Sequence, residues 1–173
     1  RALVPQALAH FTPAGAHRLA SELNPLGRYL YRVAERPFPH LLLQTWVPPE
    51  LERLPGGLSL EGPKAFPKGV LRAGGLYRFH LLGAPLKRSR PYEYGREFSL
   101  WVRRRLRGAE VVNLKLGPRS FLELPGKGAT LLVGEAFGVL RVRDVEAFWE
   151  VLALGLGRGK AYGLGMVSLG GVR

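Results

Sequence analysis

The chain has no cysteine, so it has neither a disulfide nor a thiolate nucleophile. Acid is scarce. Thirteen Asp and Glu stand against twenty-six Lys and Arg, and Asp144 is the single aspartate. Nucleases and polymerases that use two metal ions hold them with clustered carboxylates. A chain this poor in them is expected to do any nuclease chemistry without metal, and no cofactor is expected. The four histidines, His10, His17, His40 and His80, make no His-x-x-x-His pair, which removes the helical zinc-protease pattern. No apolar run approaches the ~18–20 residues of a membrane-spanning helix. The first residues, broken by Pro5, Gln6 and His10, do not read as a signal peptide. The expected location is the cytoplasm, with no membrane partner.

What is present is positive charge on a foldable background. With 173 residues and 46% of them hydrophobic, the chain can bury a core as one ordinary domain or two small ones. The net charge of +13 calls for a polyanionic partner, nucleic acid before an anionic membrane surface. A heat-adapted surface would balance its cations with Glu, and this one does not. Twenty of the cations are Arg, the residue suited to bidentate phosphate contacts and to stacking on bases.

The most distinctive segment is Leu154 to Leu169. Gly155, Gly157, Gly159, Gly163 and Gly165 alternate there with Arg158 and Lys160, and an apolar, strand-like run follows. Glycine admits positive φ and close backbone approach, and cations beside exposed N–H groups make an anion-gripping loop. A side chain at Gly159 or Gly163 is expected to hold RNA off those N–H groups, weakening binding more than it lowers the melting temperature. The segment is not a P-loop, because Leu154 occupies the first glycine position and Ala161 the hydroxyl position. It is not the dinucleotide fingerprint either, since Lys160 or Tyr162 falls where the third glycine belongs.

Along the chain, Arg1–Leu8 reads as a strand. Thr12-Pro13 opens a helix, with Thr as N-cap and Pro in the first turn. Pro25 divides it from a second helical piece over Leu26–Glu35. Strands are expected at His40–Val47 and Gly75–Leu82, separated by a Pro- and Gly-rich loop with one helical turn. Leu86–Arg96 interleaves Lys87, Arg88, Arg90 and Arg96 with Tyr92 and Tyr94, a pattern for nucleic-acid contact or for a solvated loop. A helix over Glu97–Arg107 places Phe98, Trp101, Val102 and Leu106 near one face and leaves Arg103, Arg104, Arg105 and Arg107 elsewhere. Short strands follow at Val111–Leu116, Ser120–Leu124, Ala129–Glu135 and Val139–Val142. Asp144 caps a helix over Val145–Leu154, and Gly165–Leu169 is the last strand. The class is α+β. The order suits two tandem ferredoxin-like (RRM-like) domains, residues 1–84 and 85–173, the second carrying the glycine-rich loop.

The loop resembles the C-terminal glycine-rich motif of the RAMP superfamily of CRISPR RNA-binding proteins. Gly155-Leu156-Gly157, Lys160, Gly163-Leu164-Gly165 and Ser168-Leu169 carry the likeness, which is nearest to the repeat-processing endoribonucleases of Cascade-type systems. Asn24-Pro25, Leu43-Gln44-Thr45, Gly75-Leu76-Tyr77-Arg78-Phe79 and Ala84-Pro85-Leu86-Lys87-Arg88 match more weakly, in the same order. The resemblance implies the tandem fold, a CRISPR repeat hairpin as partner, other effector-complex subunits as neighbours, and metal-independent cleavage to a 2′,3′-cyclic phosphate (or 3′-phosphate) and a 5′-hydroxyl, with the product kept bound. It implies RNA contacts at Gly155, Gly157, Arg158, Gly159, Gly163 and Gly165, and a cation at Lys160.

Such cleavage needs a base for the 2′-hydroxyl, an acid for the leaving oxygen and cations on the phosphorane. The family places a His in its first helix, soon after the position matched by Asn24-Pro25; Arg28 and Tyr29 stand there instead. Tyr29 and His17 are the candidates for handling a proton. Arg28 and Arg32, four apart on an expected helical face, could clamp phosphate, and Lys160 could stabilise the transition state. Tyr31 reads as core. A non-catalytic RNA-binding subunit of a CRISPR effector complex is the alternative, and a general RNA-binding protein a third.

Overall fold

The computed structural model describes residues 13–25, 28–34, 40–54, 65–85, 93–124, 126 and 128–172. The chain forms two compact units: Arg1–Ala65 together with Ala161–Gly163, and Phe66–Lys160 together with Leu164–Arg173. The division falls between Ala65 and Phe66 rather than between residues 84 and 85, because the strand at Leu76–Gly83 is built into the second unit's sheet.

In the first unit, helix α1 spans Pro13–Leu23. Its Ala16 and Ala20, one turn apart, are both fully buried. Strands β1 (Tyr29–Ala34) and β2 (His40–Thr45) pair antiparallel, with Tyr31 opposite Leu43 and Val33 opposite Leu41. Ala16 and Ala20 pack on Tyr31, with Tyr29, Val33, Leu41 and Leu43 around them. The alternation of Tyr29, Tyr31 and Val33 puts three large side chains on one face of an extended chain. The helical piece expected over Leu26–Glu35 is therefore a strand over Tyr29–Ala34. Aromatic and β-branched residues favour a pleated, half-buried surface, and here they have α1 to cover it. Asn24 closes α1 rather than opening another helix, its side-chain amide donating to the Ala20 carbonyl at 3.2 Å. A single 3-10 turn, Leu51–Arg53, follows β2. The strand expected at Arg1–Leu8 lies outside the described residues.

The second unit runs β3 (Leu76–Gly83), α2 (Ser99–Arg105), β4 (Ala109–Leu116), β5 (Ser120–Leu124), β6 (Ala129–Val142), α3 (Val145–Leu154) and β7 (Val167–Gly171). The sheet order is β4-β6-β3-β7, every pairing is antiparallel, and β5 pairs with β6. Leaving β5 aside, this is strand, helix, strand, strand, helix, strand. The core joins Phe79 and Leu81 of β3, Phe98, Val102 and Leu106 in and beside α2, Leu140 and Val142 of β6, and Phe148 and Leu152 of α3. α3 begins as its sequence dictates: the Asp144 carboxylate accepts from the Ala147 N–H at 3.1 Å, satisfying one of the helix's orphan donors. Where two short strands are expected, β6 is one strand of 14 residues. Gly138, in the gap between the two expected strands, marks a close approach and not a turn, since a Cβ there would run into the Asn113 carbonyl. Among the described residues no helix is long and apolar enough to cross a membrane.

Candidate active site

His17 lies one residue beyond the buried Ala16 on α1 and is itself only partly buried. Its Nδ1 is 3.4 Å from the Tyr29 hydroxyl. The imidazole centroid is 6.5 Å from the Tyr29 ring and 6.1 Å from the Tyr162 ring, tilted by 40° to each. Tyr162 arrives on the three residues, Ala161–Gly163, that belong to the first unit. Tyr31 anchors that arrival: its hydroxyl donates to the Ala161 carbonyl at 2.5 Å. Tyr31 is fully buried. Burial, with Tyr29 and Tyr162 beside it, drives its hydroxyl pKa far above the ordinary tyrosine range, so it serves as a donor and not as a base. The sequence reading of Tyr31 as core holds.

Two proton-carrying groups in hydrogen-bond reach can serve both halves of an acid–base reaction. When Nδ1 accepts from Tyr29, Nε2 carries a proton to give; when Nδ1 donates to Tyr29, Nε2 has a lone pair to receive one. With Asn24-Pro25 closing α1, the histidine of the first described helix is His17. Arg28 and Tyr29 are strand-side residues and do not occupy a helical His position.

Arg28 is exposed at the entry to β1. Arg32 lies within β1 and is buried. On extended chain two residues four apart are separated by about 13 Å, so these cations do not form the helical phosphate clamp expected of them. Lys160 is exposed at the start of a 3-10 turn, Lys160–Tyr162. Arg158 is also exposed, and its backbone N–H donates to the Ala84 carbonyl at 3.0 Å.

Gly155, Gly157, Gly159, Gly163 and Gly165 all have positive φ, from 71° to 88°, as the loop's composition suggested. The close approach at these glycines is to protein. A Cβ at Gly159 would meet Leu164 at 2.7 Å and Leu131 at 2.9 Å, and one at Gly163 would meet the Tyr31 ring at 3.0 Å. A Val at either position thus costs stability directly, contrary to the expectation of a mainly RNA-binding effect.

Arg103, Arg104, Arg105 and Arg107 are exposed on and just after α2. Arg103 donates to the Val111 carbonyl at 3.0 Å, and Arg107 lies 3.7 Å from Glu150. Lys87, Arg88 and Arg90 lie outside the described residues. Tyr94, read as part of the same basic–aromatic segment, is structural: its hydroxyl donates to the Gly117 carbonyl at 2.8 Å and its ring stacks on Phe98 at 5.3 Å. Tyr162 was not singled out in the sequence; its signal is a lone aromatic inside a glycine-rich loop. Among the described residues no group of three or more His, Asp and Glu could hold a metal ion.

No curated protein matches the chain. Among solved structures, the CRISPR endoribonuclease Cse3 bound to a 19-nucleotide RNA is similar at 28% identity, with 96% of this chain and 94% of that chain covered and a TM-score of 0.84. Thermus thermophilus Cse3, bound to an RNA representing a pre-cleavage complex, is similar at 26% identity, with 98% and 95% covered and a TM-score of 0.87. The CRISPR-associated protein Cas6e of Escherichia coli K-12 shares the fold at 21% identity, with 95% of each chain covered and a TM-score of 0.71. The model of the CRISPR associated protein family matches residues 6–170, and the chain belongs to that family.

Proposed function

We propose that this protein is a metal-independent endoribonuclease that cleaves CRISPR precursor RNA at its repeat hairpin and stays bound to the product. The observation that carries the reading is the likeness, over nearly the whole of both chains, to endoribonucleases held with RNA. The His17–Tyr29 pair supplies chemistry to match it.

In this reading the 2′-hydroxyl attacks the adjacent phosphorus while the 5′-oxygen leaves. His17 moves the proton at Nε2, and Tyr29 holds the opposite ring nitrogen and sets the tautomer. Arg28 and Lys160 supply positive charge to the phosphorane. The products are a 2′,3′-cyclic phosphate, or the 3′-phosphate formed from it, and a 5′-hydroxyl. Scarcity of carboxylate supports a metal-free route. The exposed arginines of α2, with Lys87, Arg88, Arg90 and the cations of the glycine loop, are assigned to the hairpin's phosphates. We read the architecture as two tandem ferredoxin-like domains, supported by the strand order of the second unit. Other subunits of a CRISPR effector complex, in the cytoplasm, are the proposed neighbours.

The test is incubation with a cognate repeat hairpin in EDTA, with the product ends identified. Cutting to a cyclic phosphate and a 5′-hydroxyl is expected. Binding without cutting would replace the enzyme by a non-catalytic RNA-binding subunit.

A further inference from the structure

The Tyr162 ring lies beside the His17 imidazole, 6.1 Å between centroids, and the reading above does not use it. The His17 imidazole has a tyrosine ring at 6.5 Å from β1 and another at 6.1 Å from the glycine-rich loop. Among the described residues its hydrogen-bond contact is with Tyr29 and is long, 3.4 Å, and the Tyr162 ring is a second neighbour.

The placement of Tyr162 is itself built. The residue before it is tied by its carbonyl to the buried Tyr31 hydroxyl at 2.5 Å. The residue after it, Gly163, has φ +86°, and a Cβ there would press on the Tyr31 ring at 3.0 Å. Ala161–Gly163 is thus seated on Tyr31, which is locked among Ala16 and Ala20. The donor in this clasp is held protonated by burial, so the clasp persists through the neutral range.

We propose that Tyr162 is a positioning residue for His17, confining the imidazole between two tyrosine rings, and that the Tyr31–Ala161 hydrogen bond holds Tyr162 in place. The proposal rests on His17 being the proton-transfer residue. A base must be held near its productive geometry, and a displacement of about 1 Å can cost on the order of 10²-fold in rate. The ring does this by packing, so Phe should serve as well as Tyr.

The experiment uses the whole chain with isotope-labelled histidine. The His17 imidazole signals are identified by their loss in His17→Ala. Tyr162→Ala, Tyr162→Phe and Tyr31→Phe are then compared by those signals without RNA, by single-turnover cleavage of a repeat hairpin, and by hairpin affinity. Tyr162→Ala should shift or broaden the His17 signals and slow cleavage about 10- to 100-fold with affinity nearly unchanged. Tyr162→Phe should restore both. Tyr31→Phe should move the His17 signals in the direction of Tyr162→Ala. Parent-like His17 signals in Tyr162→Ala overturn the proposal, as does a Tyr162→Phe variant no better than Tyr162→Ala. The signals need no cleavage to be read. A parent that never cuts therefore defeats the enzymatic reading and leaves the test of ring confinement standing.

Discussion

Replacing Gly157 by Ala measures how tightly the glycine-rich loop is packed. Gly157 has φ +74°, and a Cβ there would stand 2.4 Å from the Ala84 carbonyl oxygen and 2.8 Å from Trp101. That oxygen is backbone and already accepts from the Arg158 N–H at 3.0 Å, so it cannot move aside without breaking a bridge. Gly74 is the control. It has φ +81° with nothing within 4 Å of the added Cβ, and it lies in the same unit. A left-handed conformation costs a non-glycine residue about 1–3 kcal/mol, and both variants bear that cost. Overpacking adds about 1–3 kcal/mol, and only Gly157→Ala bears it. Each kcal/mol lowers the melting temperature of a domain of about 100 residues by roughly 4–8 °C. Gly157→Ala should therefore melt roughly 4–24 °C below Gly74→Ala by calorimetry. Equal melting temperatures would refute the claim that the loop's glycines are demanded by close packing against protein.

Hairpin affinity should fall linearly with salt on a double-logarithmic plot, with a slope of several units for several phosphate contacts; a slope near zero, by filter binding, would remove the phosphate-led interface. Lys160→Ala and Arg28→Ala should each lower the single-turnover rate by about 10²–10³ if each is an electrostatic donor in the transition state, with affinity little changed; loss of affinity at constant rate would make them binding residues. The raised Tyr31 pKa stabilises the fold in full below the ordinary tyrosine value near 10 and is lost as pH climbs above it. Tyr31→Phe should therefore unfold less steeply in strong alkali than the parent, as read by circular dichroism.

Elements whose local signals agreed with their surroundings were legible in the sequence. α3 has an Asp cap, inward Phe148 and Leu152 four apart, and glycine beyond its end, and it spans the residues those signals mark. β5 matches its expected span. At β1 the Asn24-Pro25 break signals a helix boundary and masks the period-two alternation of Tyr29, Tyr31 and Val33 that the strand uses. The break expected in β6 falls at Ala136–Gly138, because glycine in a strand reads as an interruption, and only the Asn113 carbonyl packed against it explains why Gly138 must be one. Among the candidate site residues, His17, Tyr29 and Lys160 stand out in the sequence by their side-chain chemistry. Tyr162 does not, because its partners Tyr31 and His17 are more than a hundred positions away and only the fold brings it to them. The α2 arginines were correctly kept off the apolar face, since amphipathic spacing alone decides that.

The proposed proton transfer by His17 is tested by single-turnover cleavage of a cognate repeat hairpin in EDTA, comparing the parent with His17→Ala. The parent should cut to a 5′-hydroxyl product, and His17→Ala should be slower by about 10²–10⁴, with hairpin affinity nearly unchanged. A His17→Ala variant that cuts at the parent rate would contradict the proposal.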